Sequence, residues 1–237
     1  MDIKNIEQEA IQFIKSNKKL LIDKYSSLIK YPPVTNPFTF IMAGSPGAGK
    51  TEFSINLINQ LYQKDTHTKI VRADPDEIKC FIPYYNKANS YEVQNAAITG
   101  MEKIIDHVYT KNQNVLIDGT FAHYVSSIKN IKRSIKHSRP IEIWYLYLDP
   151  KIAWDFTRKR EKLEGRPILK DSFINSFFSA KDNVNKAKED FGKAIKINLV
   201  QKDIANQGKY KLQLNIDKID NYLTIGYNSD QLHKILL

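Results

Sequence analysis

The sequence predicts an α/β chain: a mainly parallel sheet covered by helices on both faces, with a helical appendage ahead of it. Three observations carry that prediction. Apolar runs of strand length alternate with stretches of helical period from residue 38 to residue 162. The first of these runs, FTFIMA (38–43), empties directly into the glycine-rich stretch GSPGAGKT (44–51). Hydrophobic content of 42% and charged content of 26% are those of a globular chain, so the apolar runs are available to build a core.

Taken in order, residues 3–30 place Ile6, Ala10, Phe13 and Ile14, then Leu21, Tyr25, Leu28 and Ile29, on recurring helical faces. Tyr31-Pro32-Pro33 ends the pattern, because a residue before proline is driven out of helical backbone. This sets an N-terminal helical appendage at 1–33 and a single core at 34–237. Strand 38–43 mixes aromatic, β-branched and apolar residues, and helix 50–63 repeats Phe53, Leu57, Ile58 and Leu61 at helical spacing. Strands at 69–73, 114–118 and 141–148 and helices at about 91–110, 124–137 and 150–162 complete the alternation. Ligands are then expected at the carboxyl ends of the strands. A long amphipathic segment starts at the cap-like Asp171, and its stripe of Phe173, Phe177, Ala180, Val184, Ala187 and Phe191 reads as core. Residues 194–200 and 209–215 alternate apolar and polar side chains around DIANQG and read as two late strands that a hairpin would join.

GSPGAGKT has the spacing of a phosphate-binding P-loop, between a strand and a helix as that motif requires. Gly44, Gly47 and Gly49 let the backbone turn through positive φ and bring its N–H groups toward an anion, with Ser45, Pro46 and Ala48 between them. The helix that follows offers further free N–H groups at its positive end, where Glu52 closes the binding segment. Lys50 would reach the terminal phosphates as a point charge, and the Thr51 hydroxyl would hold the magnesium ion that bridges them. The cofactors implied are ATP and Mg2+.

The remaining composition narrows the class. A single cysteine, Cys80, excludes an internal disulfide and a zinc cluster, and the five histidines are scattered, so metal is expected to come with the nucleotide. No apolar run reaches membrane-spanning length, and MDIKNIEQEA lacks the apolar stretch of a signal peptide; a cytoplasmic protein with no membrane partner is expected. The net charge of +10 favours an anionic partner, although basic stretches such as 129–139 and 181–190 read as solvated helix faces.

A phosphate cradle needs an acceptor and a group to activate it. The strand KIVRA runs into DPDEIK, placing Asp74 and Asp76 at its carboxyl end, where a carboxylate could take a hydroxyl proton or help hold magnesium; the same residues could instead turn the chain and cap the next helix. The strand of NVLIDGT ends in Asp118, in the form of a second acidic element that orients magnesium, and Gly119 and Thr120 permit close approach to a ligand. Arg158, Arg160 and Arg166 are concentrated in a short polar stretch that could close as a lid and neutralise charge on the transferring phosphoryl group, or form a plain basic face.

These residues, in this order over about 38–200, resemble the zeta toxins, P-loop kinases that phosphorylate UDP-N-acetylglucosamine. The resemblance implies Lys50 and Thr51 as the ATP and magnesium grip, Asp76 as base for the acceptor hydroxyl and Arg166 as a catalytic lid arginine. Either Arg158 or Arg160 matches the earlier lid arginine. Glu102, sixteen residues before Asp118, matches a substrate-binding carboxylate at the edge of a helix face formed by Val93, Ala97, Met101, Ile104, Ile105 and Val108, from which it would point toward Asp76. Asp118 stands where the family often has Glu. Asp74, Glu102, Asp118 and Thr120 then form the substrate side, a nucleotide-sugar the acceptor, and an antitoxin protein a possible partner. Two other readings stay open: a polynucleotide or nucleoside 5′-hydroxyl kinase, which the basic charge favours but the absence of an RNA-binding module does not, and a nucleotide-dependent switch, for which an acceptor base at Asp76 has no use.

Overall fold

Strand β1 (Thr39–Ala43) is buried along its whole length, as a strand must be when its sheet is covered on both faces. In this computed structural model, which describes residues 3–165, 167–203 and 209–236, β1 pairs in parallel with β3 (Asn114–Ile117) and β4 (Ile141–Tyr147). Ile41 lies opposite both Ile117 and Ile143. Strand β2 (Ile70–Ala73) extends one flank, β5 (Lys196–Asp203) and β6 (Lys209–Ile216) the other, giving the order β2-β3-β1-β4-β5-β6. Among the described residues only β6 runs antiparallel, paired to β5 as the alternation around DIANQG predicted; residues 204–208 of that connection lie outside them. The mainly parallel sheet is thus the one the sequence calls for.

Alternation along β1 divides the core. Phe40 and Met42 join Leu116, Trp144, Leu146 and Val200 on one face, under α3 (Lys50–Lys64), α7 (Pro150–Glu164), the first turns of α8 (Lys170–Phe191) and α9 (Ser229–Ile235). Ile41 and Ala43 join Ile143, Tyr145, Ile197 and Leu199 on the other, under α6 (Tyr124–Lys136) and the later turns of α8. The stripe of α8 therefore serves both cores, Phe173 and Phe177 in one, Ala180, Val184 and Ala187 in the other.

The N-terminal segment is two helices, α1 (Ile3–Ser16) and α2 (Lys18–Ser26), where the apolar pattern suggested one over 3–30. Asn17 breaks them: its backbone leaves the helical region and its amide donates to the Phe13 carbonyl at 3.0 Å. Ala10, Ile14 and Leu21 are fully buried against α5 (Gln94–Thr110) and α4 (Pro75–Lys79). Gly100 makes this approach possible, since a Cβ there would stand 2.8 Å from Ile78 and 3.4–3.5 Å from Ile14 and Leu21. The Gln113 side chain stitches the far end of the pair, donating to the carbonyls of Ser26 and Tyr31. Two further short helices are not evident in the apolar period: α4, capped by Asp74, and α9, opened by a capping box of Asn228 and Gln231.

Candidate active site

The carboxyl ends of β1, β2 and β3 meet around the glycine-rich loop. Gly44 (φ +130°) and Gly47 (φ +74°) are required by close approach as well as by backbone angle: a Cβ on the first would stand 2.3 Å from the Leu146 carbonyl oxygen, on the second 2.2 Å from that of Ala153. The loop is thereby seated between the end of β4 and the start of α7. The Gly44 N–H donates to the Thr120 carbonyl at 3.0 Å, and the Asp118 N–H to the Ala73 carbonyl at 2.9 Å, so the three strand tips are tied to one another. Ser45 and Ala48 are buried, whereas Thr51 and Glu52 lie exposed on the first turn of α3.

Lys50 folds over this loop, its Nζ donating to the carbonyls of Gly44 at 3.0 Å and Ser45 at 2.7 Å. Part of its stem is accessible, but the ammonium is enclosed, and burial pushes it down to about 8 against the opposing pull of Asp118, Asp74 and Asp76; Arg160 acts with burial. All four of these groups are residues the sequence singled out.

The two carboxylates of DPD have different surroundings. Asp74 caps α4, taking the Asp76 N–H on Oδ1 at 2.8 Å, and its side chain is 11% exposed. Burial and the neighbouring Asp118 push its carboxyl up to about 6, with Arg72 opposing the shift. Asp76 is 39% exposed and is held by Arg160 at 3.1 Å and by Lys79 at 3.3 Å. Of the pair, Asp76 is the one an incoming molecule can reach. Of the two earlier arginines Arg160 is the one directed at Asp76, while Arg158, one turn from Trp154 and over its ring, pairs with Glu161. Arg166 lies outside the described residues.

Asp118 is 7% exposed at the end of β3, and the Thr120 hydroxyl accepts from the Ala122 N–H at 3.2 Å, shaping the turn behind it. Glu102 is partly exposed on α5, where its ion pairs run to α6: Arg133 at 2.9 Å and Lys129 at 3.2 Å, both on Oε2. Among the described residues no ion pair links it to Asp76 or Arg160. No group of three or more His, Cys, Asp or Glu among the described residues could hold a metal by itself. Thr51 and Asp118 are hard oxygen donors of the kind magnesium accepts when phosphates supply its other ligands, so the residues present fit that ion.

Two residues beside the site were not singled out in the sequence. Arg72 bridges Asp74 and Asp118, and the signal for it was available: it is the one charge within β2 (IVRA), and a buried charge requires partners. Lys202, at the end of β5, pairs with Glu52 at 2.6 Å and stands 3.6 Å from a Cβ built on Gly49. Nothing local marks it, because its position depends on β5 lying across the sheet from the loop.

A family model for zeta toxins matches residues 22–213. This chain belongs to the zeta toxin family. The match runs from within α2 through most of β6 and so includes every site residue discussed above; α1, Asn17, Leu21 and α9 lie outside it. As a zeta toxin family member it is a P-loop kinase, a nucleotide-binding phosphotransferase. No curated sequence matches the chain. Among solved structures, a chain from the PezAT chromosomal toxin-antitoxin system of Streptococcus pneumoniae is similar at a TM-score of 0.64 and 16% identity, covering 94% of this chain and 86% of that one. A chain of the AvrRxo1-ORF1:-ORF2 complex with ATP is similar at 0.60 and 11% identity, covering 94% and 74%. These likenesses concern the fold. No helix among the described residues is long and apolar enough to cross a membrane.

Proposed function

We propose that this chain transfers the γ-phosphate of Mg-ATP to a hydroxyl of a nucleotide-sugar such as UDP-N-acetylglucosamine. The observation that carries this reading is the accessible Asp76 carboxylate, gripped by Arg160 and electrostatically in range of Lys50, because a base so placed serves an acceptor hydroxyl. The membership in the zeta toxin family and the ATP in the AvrRxo1-ORF1:-ORF2 structure support ATP as donor.

In the step proposed, Asp76 takes the proton of the acceptor hydroxyl as its oxygen forms a bond to the γ-phosphorus. The bond from that phosphorus to the β–γ bridging oxygen breaks, and the electron pair leaves on the β-phosphate of ADP. Lys50 and the lid arginines, Arg160 with Arg158 and Arg166, oppose the charge spread over the phosphoryl oxygens. Thr51 and Asp118 would hold magnesium, which would supply neutralisation of the phosphate charge. The segment 44–52, GSPGAGKTE, holds the phosphates. Asp74, Asp118 and Thr120 shape the acceptor floor, and Glu102 accepts hydrogen bonds from sugar or ribose hydroxyls through Oε1, its other oxygen being held by α6. An antitoxin protein as partner belongs to the same reading, supported by the likeness to a chain of the PezAT toxin-antitoxin system.

One observation favours the polynucleotide kinase reading. Lys129, Lys132, Arg133 and Lys136 line a groove of about 400 Å³ along α6 with Val125 and Ile128, which could follow a phosphate backbone. Glu102 sits among those cations and would repel phosphates. Purified protein incubated with labelled ATP and a panel of UDP-sugars, nucleosides and RNA decides between them. Phosphorylation of a UDP-sugar that Glu102→Gln impairs, with ATP binding unchanged, is the expected result. RNA phosphorylation that falls steeply with salt, and that Glu102→Gln improves, would replace the sugar reading with the polynucleotide one.

A further inference from the structure

Arg72 has a side chain only 9% exposed and spends every guanidinium nitrogen on a different part of the site. Nε donates to the Ser54 hydroxyl on α3 at 3.1 Å, Nη1 pairs with Glu77 on α4, and Nη2 lies 2.6 Å from Oδ2 of both Asp74 and Asp118. Ser54 in turn donates to the Thr51 carbonyl at 2.9 Å. A continuous path of hydrogen bonds therefore runs from the first turn of the phosphate-binding helix, through one guanidinium, to the ends of β2 and β3. Both oxygens of Asp74 are committed, one to Arg72 and one to the Asp76 N–H, so the start of α4, which presents Asp76, hangs from the same cation. Of the two oxygens of Asp118, Arg72 takes Oδ2 alone.

We propose that Arg72 is the positioning residue of this site: by bridging Asp74 and Asp118 and anchoring both to Ser54, it fixes the direction of Asp76 relative to the phosphate cradle. This rests on the kinase reading above for its catalytic consequence, though not for its structural one. The charge count explains why a cation is needed. Two carboxylates buried side by side repel each other, and either would rotate away or take a proton without a positive partner between them. The fork explains why it is an arginine. A guanidinium is planar with donors in fixed directions and can hold several partners at once, whereas an ammonium is a point charge on a flexible stem. Asp74 is then a support for Asp76 and not a second base.

The test uses the full chain with Arg72→Lys, which keeps the charge but cannot reach Ser54, Glu77 and both carboxylates together. It also uses Glu77→Gln, a substitution at an exposed side chain that removes the charge holding Nη1 to α4 and leaves at most a neutral hydrogen bond there. Hydrogen exchange of the amides at 74–80 is expected to quicken by about tenfold in Arg72→Lys and by severalfold in Glu77→Gln, with the amides of β1 unchanged. For the acceptor that the panel identifies, kcat of Arg72→Lys should fall about ten- to a hundredfold while KM for ATP stays within about threefold, the split expected when a supporting group misplaces a base. Adding Asp118→Asn to Arg72→Lys should cost less than the same change costs the wild type, since the pair acts as a unit. Wild-type exchange at 74–80 in Arg72→Lys, or losses that simply multiply with Asp118→Asn, would overturn the proposal. If Arg72→Lys does not fold, wild-type exchange at 74–80 in Glu77→Gln overturns it equally. A wild type that phosphorylates nothing in the panel defeats the kinase reading, and the exchange at 74–80 still decides Arg72.

Discussion

Arg72 and Arg139 are both buried, at opposite ends of one sheet, and different chemistry holds them. At the carboxyl ends of the strands, Arg72 is surrounded by anions: Asp74, Asp118 and Glu77. At the amino ends, Arg139 meets only neutral oxygens, the Thr39 hydroxyl at 3.1 Å, the Phe38 carbonyl at 2.8 Å and the Gln113 carbonyl, and stacks on the Tyr109 ring. The electrostatic result is opposite. Burial pushes the Arg139 guanidinium down to about 10, whereas for Arg72 the carboxylates outweigh burial and raise it. The lesson concerns where charge is placed. The amino end uses a cation to close off strand-start carbonyls, and the carboxyl end uses one to hold two buried carboxylates side by side.

That contrast can be broken most sharply at Lys50. Lys50→Ala should lower phosphoryl transfer by roughly a thousandfold, because it removes a cation from the transferring phosphate, while the melting temperature stays near that of the wild type. Normal turnover in a folded variant would detach the loop from the chemistry. Within DPD, Asp76→Asn should cost about a hundredfold or more in kcat, and Asp74→Asn distinctly less, since only the first leaves the acceptor without a base. The reverse order in steady-state rates would exchange their roles. At the other end, Arg139→Met takes the guanidinium donor from the Gln113 carbonyl and leaves the Phe38 carbonyl with the Val115 N–H alone, and should cost about 1–3 kcal/mol of stability. For a chain of this size that is a fall of several degrees in melting temperature, read by calorimetry, with kcat unchanged. A loss of activity at an unchanged melting temperature would erase the division between the two ends.

The smallest effect expected is one of pH. Lys50 sits at about 8, below the ordinary lysine range, so in the free protein its ammonium loses a proton as pH rises through 8, and phosphate binding pulls the proton back. Association of ATP should therefore take up a fraction of a proton that grows above pH 8, measurable by titration calorimetry in buffers of different ionisation enthalpy. The stability consequence has a definite sign. Between about pH 8 and the unfolded lysine value the unfolded chain binds more protons, so stability should rise with pH across that window. Proton release, or uptake that does not grow, would mean that another group titrates.

Much of this site could be read from the chain, for reasons that differ by residue. GSPGAGKT is local: its glycines answer to backbone angles and close contacts, and Lys50 follows them at fixed spacing. Asp74, Asp76 and Asp118 were legible because a parallel sheet brings its carboxyl ends together whatever the details of its loops. The separate roles proposed within DPD came from the family resemblance alone, since their physical basis lies in α4, a five-residue helix too short to show a period. Arg160 facing Asp76 and Lys202 facing Glu52 are contacts across 84 and 150 residues of sequence, and no local pattern encodes them. The break at Asn17 was hidden because the apolar stripe continues on both sides of it, and only the backbone of Asn17, whose side chain joins its own N–H on the Phe13 carbonyl, leaves the helical region.

The docking of α1 and α2 onto α5 has a consequence for how the protein is made. Ala10, Ile14 and Leu21 are synthesised well ahead of the surface that buries them, from Ala97 to Val108, which comes about ninety residues later. At ordinary elongation rates the two helices would wait roughly 5–20 s with an apolar face uncovered. During that interval they are a natural target for a chaperone at the ribosome, and the nascent chain would become resistant to protease at its N-terminus only when α5 has emerged.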